Sequence, residues 1–265
     1  MSIRLIALDI DGTLVSRGQP ISRENLNAIQ RAQDAGVFVT IATGRGYQAS
    51  KRIIDALNID GPVITYGGAM ISDAVSGKII SMETLHDSVI RKAFAFAKEV
   101  DVHIQLYQND IVYAEKSCDF FEYYTGFHNG VGIIDPNIMD QTWENVPKLL
   151  AYEPDPSREE KIRSEFTKTL HGLASVSKTE PGYIEINCIG ATKGSALKKI
   201  AEQMGITQLE TAALGDSFLD ISMLEWAGEG VAVGNALDPV KEISDRIVPA
   251  AHENGVAYYI EHFVL

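Results

Sequence analysis

Short runs of aliphatic residues alternate with amphipathic stretches in the first third of the chain. Residues 3–10, 37–42 and 63–66 predict strands that are buried on both faces, and the segments between them have helical spacing. Ser22 is placed to cap the first helix, and Gly36 follows its end, where a left-handed residue is typical. Strands that alternate with helices across short connections predict a parallel α/β sheet.

The last third of the chain repeats this alternation. Helices are predicted at 193–204, 219–226, 239–243 and 256–263, and strands at 211–214, 231–233 and 247–248. The same kind of sheet is therefore expected at both ends of the chain.

The middle of the chain, from about residue 83 to 187, has a different pattern. Helical periodicity covers 88–100 and a second stretch that begins at Ser157, where Ser157 and Glu160 match a capping box. Five strand candidates lie at 103–107, 111–115, 148–153, 174–178 and 183–187, and a Glu-Pro-Gly turn predicts that the last two form a hairpin. This pattern predicts an α+β module inserted into the parallel domain.

Composition narrows the class of protein. The chain has 265 residues and a formal net charge of −13, which disfavours nonspecific binding to nucleic acid or an anionic membrane. Its two cysteines, Cys118 and Cys188, lie far apart and indicate a reducing compartment. Asp9 and Asp11 interrupt the first apolar run, which is too short for a signal peptide or membrane span, so a soluble, cytoplasmic protein is expected. The composition leaves the oligomeric state open.

Two carboxylates come at the carboxyl end of the first predicted strand, where α/β sheets form ligand sites. Asp9 and Asp11 repel each other unless a cation or a shared proton separates their states. The pair suits a nucleophile beside an acid/base with a metal ion nearby, and Gly12 lets the chain turn sharply after them. A simple strand-ending turn has the same composition, so this motif alone leaves both readings open.

Three further motifs follow other strands or begin a helix. Thr43, Gly44 and Arg45 follow the second strand, where a hydroxyl and backbone N–H groups can hold a phosphate oxygen. Lys193 begins a helix and places a cation beside N-terminal amides, although such a lysine is usually a solvated surface residue. The carboxylates of Asp216 and Asp220 follow the strand at 211–214, and this all-oxygen ligand set favours Mg²⁺ over zinc.

Taken in order, the four motifs resemble those of the haloacid dehalogenase-like (HAD) phosphatases, in particular the Cof-type branch. The matching stretches are DxDGT from Asp9, Thr43 in ATGR, Lys193 in TKGSAL and GDxxxD from Asp216. The resemblance implies a Rossmann-like parallel-sheet core at 1–82 and 189–265. It also implies an inserted α+β cap of type C2 at 83–188.

The same resemblance implies roles for the site residues. Asp9 is expected to attack phosphorus, and Asp11 to act as acid and then as base. Mg²⁺ is expected to bind Asp9, Asp216 and the backbone carbonyl of Asp11, with Asp220 supporting from the same loop as Asp216. Thr43 and Lys193 are expected to hold the phosphoryl oxygens, a task to which Gly44 contributes backbone N–H groups. The expected reaction is Mg²⁺-dependent hydrolysis of a small phosphorylated metabolite, such as a sugar phosphate, through a phosphoaspartyl intermediate.

Two positions depart from the family pattern. Leu219 and Gly67 stand where the family usually has Asn, which predicts weaker contacts to phosphate or substrate. An aromatic group in the insert, at positions 120, 121, 123, 124 and 127, is a candidate for substrate contact, although such a group more often forms core.

Other functions are compatible with parts of this pattern. A phosphomutase of the same superfamily shares the first step, and a weakened homologue would bind a metabolite without turnover. A receiver domain also uses an acidic cluster, but it is too small to explain the insert. A dinucleotide-binding enzyme is disfavoured because no GxGxxG follows the first strand.

Overall fold

The computed structural model describes residues 2–16, 18–127 and 131–265, with the side chain of Phe127 left aside. The chain divides into two compact units. The first comprises Met1–Arg45, Ser50–Ser81 and Thr192–Leu265, and the second comprises Gly46–Ala49 and Met82–Ala191.

The strands, in chain order, are β1 (Leu5–Leu8), β2 (Phe38–Ile41), β3 (Pro62–Thr65), β4 (Met70–Asp73), β5 (Ile79–Met82), β6 (His103–Gln108), β7 (Ile111–Ala114), β8 (Val131–Ile134), β9 (Lys148–Tyr152), β10 (Ser175–Lys178), β11 (Tyr183–Asn187), β12 (Thr211–Gly215), β13 (Glu229–Val233) and β14 (Arg246–Val248). The helices are α1 (Arg23–Asp34), α2 (Tyr47–Ala56), α3 (Asp87–Glu99), α4 (Asp119–Phe127), α5 (Pro156–Thr169), α6 (Lys193–Met204), α7 (Ile221–Trp226), α8 (Asp238–Ile243) and α9 (Gly255–Tyr259).

A five-stranded parallel sheet in the order β14-β13-β12-β1-β2 forms the centre of the first unit. Leu8 pairs with Ile41 on one side and with Leu214 on the other. All four residues of β1 and all five of β12 are buried, as expected for strands covered on both faces. The α/β class with a parallel core sheet, predicted from the two ends of the chain, is confirmed.

The prediction that residues 63–66 form a third strand of this parallel sheet is confirmed only in part. β3 pairs antiparallel with β4, which lies beside β5 in a separate three-stranded sheet. It also runs parallel to the end of β2, with a bridge between Ala42 and Ile64 and a hydrogen bond from the Thr43 amide to the Ile64 carbonyl at 3.0 Å. Tyr66, Gly67 and Gly68 all have positive φ, and this left-handed stretch reverses the chain immediately after β3. The strand therefore pairs with the segment that follows it.

Two predicted helix caps have different outcomes. The Ser22 cap is confirmed, because its hydroxyl accepts a hydrogen bond from the Asn25 amide at 3.1 Å. The Ser157 cap is wrong: Pro156 already begins α5, and Asp155 accepts from the Ser157 amide at 2.9 Å. Both Asp155 and Ser157 are good capping residues, and Pro156 decides between them because proline favours the first helical position.

The second unit contains a six-stranded sheet in the order β10-β11-β9-β6-β7-β8. The pairs are antiparallel except for β7 and β8, and the predicted β10–β11 hairpin is confirmed. One sheet face, which includes Leu106, Leu149 and Ile186, packs in a core with residues of α3 and α5. α4 was not predicted, although its buried aromatic residues Phe120, Phe121 and Tyr124 lie at helical spacing.

Candidate active site

The site residues of the first unit lie where parallel strands end. Asp9 directly follows β1, and its amide donates to the Leu214 carbonyl of the neighbouring strand at 3.0 Å. Asp216 follows β12 in the same way. Thr43 comes two residues after β2 and is buried. The carboxyl ends of these adjacent parallel strands lie at one edge of the sheet, the usual position of ligand sites in α/β proteins.

Lys193 joins the carboxylates of Asp9 and Asp220 in a buried ion-paired group. Its Nζ lies 2.6 Å from Asp9 Oδ1 and 2.5 Å from Asp220 Oδ1. All three residues are at most 5% exposed. Sequence reasoning considered a solvated surface lysine at this helix start, and the structure instead buries it.

The start of α6 explains how the lysine reaches this group. Thr192 and Ser195 form a capping box that fixes the first turn. A Cβ added to Gly194 would lie 2.1 Å from the Ser222 carbonyl oxygen, so a larger residue there would separate the start of α6 from α7. Glycine at this position therefore allows the close packing that carries Lys193 inward.

Asp220 is held by both of its carboxylate oxygens. Oδ1 contacts Lys193, while Oδ2 accepts from the Asp216 amide at 3.1 Å and from the Ser217 amide and hydroxyl, each at 2.9 Å. These bonds close the loop at 216–220 around one buried carboxylate. Asp220 therefore fixes the position of Asp216 as well as that of the lysine.

The loop after β1 is fixed against Asp216. Thr13 Oγ1 donates to Asp216 Oδ1 at 3.1 Å. Gly12 has φ +90°, and a Cβ there would lie 2.3 Å from Asp216 Oδ2, so both backbone conformation and space require glycine. Asn235 Nδ2 donates to the Gly12 carbonyl at 2.7 Å, and its Oδ1 accepts from the Ala251 amide at 2.8 Å.

The pKa values of Asp9 and Lys193 reflect the carboxylates packed around them. Burial raises the pKa of Asp9 well above its ordinary value, Asp220 and Asp216 raise it further, and Lys193 opposes them. Burial lowers the pKa of Lys193, but Asp220 and Asp9 outweigh burial and raise it overall. Two carboxylates thus share one ammonium, with Asp216 adding negative charge near Asp9, and the lysine stays charged.

This acidic group has the donors of a metal site. One carboxylate oxygen from each of Asp9, Asp216 and Asp220 lies within 4.8 Å of the others. Such an oxygen set fits a hard divalent cation, which would also offset the surplus negative charge. Asp11 was predicted to contribute its backbone carbonyl, and its carboxylate is engaged elsewhere.

Arg45 holds the carboxylate of Asp11. Its Nε lies 2.7 Å from Asp11 Oδ2, and its Nη2 lies 2.5 Å from Oδ1, the bidentate geometry of a strong guanidinium–carboxylate pair. The sequence left open whether Arg45 contacts substrate or serves the structure. In this structure it contacts Asp11.

Comparisons with known proteins agree with this geometry. The sequence model of the haloacid dehalogenase-like hydrolase family, Hydrolase_3, matches residues 6–260. The chain belongs to this family.

Sequence similarity to known phosphatases extends over the whole length of this hydrolase. It is 34% identical to the 5-amino-6-(5-phospho-D-ribitylamino)uracil phosphatase YcsE of Bacillus subtilis, over 100% of this chain and 97% of that protein. It is 32% identical to a second B. subtilis 5-amino-6-(5-phospho-D-ribitylamino)uracil phosphatase, YwtE, over 99% of this chain and 98% of that protein. A haloacid dehalogenase-like hydrolase from Bacteroides thetaiotaomicron is 28% identical, with a TM-score of 0.88 over 98% of both chains. The predicted enzyme class, an HAD-type phosphatase, is confirmed.

The two departures from the family pattern differ in their structural effect. Gly67 has φ 67° and ψ 19°, a left-handed conformation that asparagine also adopts well, so the hydrolase keeps the backbone and lacks only an amide. Leu219 Cδ1 lies 3.5 Å from where a Cβ on Gly44 would be. An apolar side chain therefore lies beside the Gly44 backbone in the predicted phosphate loop.

Thr43 organises that loop in this hydrolase. Its hydroxyl accepts from the Arg45 amide at 3.1 Å, and its carbonyl accepts from the Gly67 amide at 2.9 Å. These bonds place Thr43 and Arg45 beside the turn after β3. Whether Thr43 and Gly44 hold phosphate stays a prediction.

Sequence reasoning missed three residues that shape the site. Thr13, Ser217 and Asn235 each make a bond described above. Thr13 and Ser217 lie inside the quoted motifs, so the signal for them was present. Asn235 lies in VGNA, and no local spacing connects it with Gly12.

The aromatic group of the second unit is mostly internal. The side chains at 120, 121 and 124 are buried, Tyr123 is exposed, and that of Phe127 lies outside the described residues. Its role in substrate contact stays a prediction.

Among the described residues, no helix has the length and apolar character needed to cross a membrane.

Proposed function

We propose that the chain is a Mg²⁺-dependent phosphatase that hydrolyses a small phosphorylated metabolite through a phosphoaspartyl intermediate on Asp9. The observation that carries the proposal is the buried Lys193 held between Asp9 and Asp220. A lysine placed beside a strand-end carboxylate supports phosphoryl transfer, because that reaction depends on positioning and neutralisation of charge.

Asp9 is the nucleophile in this proposal. Lys193 holds Oδ1, so Oδ2 is the oxygen that attacks phosphorus as the bond to the leaving group breaks. Lys193 then lies beside both the carboxylate and the incoming phosphoryl oxygens. Thr43 and the Gly44 amide complete the phosphate contacts.

Mg²⁺ would be held by Asp9, Asp216 and the Asp11 carbonyl, with Asp220 supporting the loop. When bound, it supplies positive charge that offsets the phosphoryl oxygens and the surplus of carboxylates. The protein contributes the fixed loop: Asp220 holds the Asp216 amide, and Thr13 holds the Asp216 carboxylate.

Asp11 is the acid and the base. It would protonate the leaving alkoxide, and the resulting carboxylate would then take a proton from the water that cleaves the phosphoaspartate. Because Arg45 occupies both Asp11 oxygens, this role requires Asp11 to leave the ion pair during turnover. Arg45 is thus proposed to position Asp11 between turnovers.

The inserted segment, 83–188, is proposed to act as a cap that selects the substrate, with 1–82 and 189–265 as the catalytic core. The full-length relatives YcsE and YwtE carry the name of a phosphatase acting on a ribitylaminouracil phosphate. That compound is therefore the first candidate substrate, and sugar phosphates of similar size are the second.

Two alternatives stay open. A phosphomutase would use the same Asp9 chemistry and return the phosphoryl group to a substrate hydroxyl. A weakened binder is suggested by Leu219, whose apolar side chain lies beside Gly44.

The test is a panel assay of the purified protein with MgCl₂, measuring inorganic phosphate from an aryl phosphate, the ribitylaminouracil phosphate and several sugar phosphates. We expect release that stops with EDTA and returns with Mg²⁺. Isomerised sugar phosphate without release would favour the mutase. Binding without either product would favour the binder, and Leu219→Asn would then be the first variant to assay.

A further inference from the structure

A cysteine–histidine pair lies in the second unit, and the proposed phosphatase chemistry does not use it. Cys118 Sγ lies 3.3 Å from His103 Nδ1, and both residues are partly buried. His103 packs edge-on to Phe120, with ring centroids 5.6 Å apart, and near Phe121. These rings restrain the imidazole beside the thiol.

The partners of His103 decide which ring nitrogen carries the proton. Gln105 donates from Nε2 to the Tyr107 hydroxyl at 2.6 Å, which directs its Oε1 toward His103 Nε2 at 3.0 Å. An amide oxygen only accepts, so Nε2 must carry the hydrogen. His103 Nδ1 is then a bare lone pair, and the Cys118 thiol donates to it.

Two further features bear on proton transfer within the pair. Cys118 lies at the start of α4, where its carbonyl accepts from the Glu122 amide at 3.1 Å, so its side chain is near the positive end of a helix. Burial lowers the pKa of His103, so the imidazole is neutral at neutral pH with its Nδ1 lone pair available, although the same burial makes it a weaker base. The acidic side chains of Asp119 and Glu122 in the first turn oppose the effect of the helix end in part.

A cavity gives access to the pair. It has a volume of roughly 220 Å³, and its lining includes Cys118 and His103 together with charged side chains of both signs. Those charges are Lys98 and Lys116 against Asp101 and Glu115. A lining balanced in this way suits a small zwitterion more than an ion of one sign.

We propose that Cys118 is a modification site that reacts with small zwitterionic disulfides, with His103 as the base. As Cys118 Sγ attacks one sulfur of the disulfide, its proton passes to His103 Nδ1 and the S–S bond breaks. A mixed disulfide forms on Cys118, and the departing thiolate takes the proton from His103 and leaves as a thiol. Cys118 is oxidised and the leaving sulfur is reduced, so the exchange needs no other reactant.

Cys188 is the matched control, because it is the other cysteine of the chain and is also partly buried and free. Burial raises the pKa of its thiol, and Glu83 raises it further. Since the thiolate is the reactive form, Cys188 is expected to react slowly.

The experiment treats the full-length protein with L-cystine, a small disulfide with two ammonium and two carboxylate groups, and follows the adduct by intact mass and peptide mapping. We compare the wild type, Cys118→Ala, Cys188→Ala and His103→Gln. We expect one adduct, on Cys118, formed about tenfold or more faster than on Cys188, and a rate about tenfold lower in His103→Gln. Thermal melting and phosphate release check that each variant is folded.

An adduct mainly on Cys188, or equal rates at both thiols, would overturn the proposal. So would an unchanged Cys118 rate in a folded His103→Gln protein. If that variant does not fold, the comparison of the two cysteines in otherwise unchanged protein still decides the outcome. Cystamine, a purely cationic disulfide, is expected to react with Cys118 more slowly than the zwitterionic disulfide does. An equal or faster reaction would refute the role of the balanced lining.

Discussion

Each compact unit buries one ion-paired lysine, and the two lysines differ in their partners. Lys193 in the first unit contacts two carboxylates, with a third, Asp216, in the same cluster. Lys148 in the second unit pairs with Glu185 at 2.8 Å, and Glu180 also raises its pKa. Burial lowers the pKa of each lysine, but the nearby carboxylates outweigh it, so both pKa values are raised.

The difference separates a cluster of converging carboxylates from a buried ion pair. At Lys148 the contacting pair is one ammonium and one carboxylate, and Glu185 Oε2 has no hydrogen-bond partner among the described residues. Around Lys193 the carboxylates outnumber the ammonium, and their oxygens converge within 4.8 Å. A surplus of carboxylates at a strand-end loop therefore fits a cation site, whereas burial of a lysine alone carries no such implication.

The largest effect is expected at Asp9. Asp9→Asn removes the proposed nucleophile and nearly preserves side-chain size, so phosphate release should fall by about 10⁴-fold or more. Glu185→Gln, the matched change in the second unit, should retain a measurable rate. Rates are taken from phosphate release under saturating Mg²⁺, with circular dichroism as the folding control. Substantial activity in Asp9→Asn would remove Asp9 from the mechanism.

The next effect is on stability and separates the two lysines. Lys148→Met leaves Glu185 buried without a cation and should cost about 3–5 kcal/mol, and adding Glu185→Leu should recover much of that loss. In the first unit, Lys193→Met with Asp220→Leu should recover no activity, because both residues serve the site. Urea unfolding and phosphate assays measure the two outcomes. Phosphatase activity in the Lys193→Met, Asp220→Leu double variant would contradict the proposed difference between the two lysines.

A smaller effect is expected for metal binding. Asp216→Asn removes one carboxylate ligand, so the Mg²⁺ concentration for half-maximal activity should rise about a hundredfold. The wild type should gain about 2.7 kcal/mol of stability at Mg²⁺ a hundredfold above its dissociation constant, and the variant much less at that concentration. Calorimetry with and without Mg²⁺ checks this. An equal gain in both proteins would place the cation elsewhere.

The smallest effect concerns pH and lies in the second unit. Burial lowers the pKa of His103 below its ordinary value of 6.5. Between the folded and unfolded pKa values the unfolded chain binds more protons, so stability is lost as pH falls below about 6.5. His103→Gln should flatten this slope in urea unfolding from about pH 7.5 to 5, by about 1 kcal/mol or less. An identical slope in both proteins would contradict the assignment.

Local patterns predicted most of the fold. Aliphatic runs located β1, β2 and β12, and the Glu-Pro-Gly turn located the β10–β11 hairpin. The pattern predicted that β3 is a strand but not that it pairs antiparallel with β4. That pairing depends on the left-handed turn after β3, which hydrophobic periodicity does not report. Neighbouring capping residues left the start of α5 ambiguous until Pro156 was considered.

The candidate site was predicted in its residues but not in its bonds. Strand ends and helix starts identified Asp9, Thr43, Lys193 and Asp216. The Arg45–Asp11 pair and the bond between Asn235 and Gly12 join residues 34 and 223 positions apart, which periodicity does not report. Burial of Lys193 likewise depends on the close contact of Gly194 with Ser222.

The most direct test is to trap the intermediate. The protein is mixed with Mg²⁺ and an aryl phosphate, quenched with acid within one turnover, reduced with borohydride and mapped by peptide mass spectrometry. Borohydride converts a phosphoaspartate to homoserine, and we predict homoserine at residue 9 only when Mg²⁺ and substrate are both present. Phosphate release at full rate with unmodified Asp9, or homoserine at another position, would contradict the proposed mechanism.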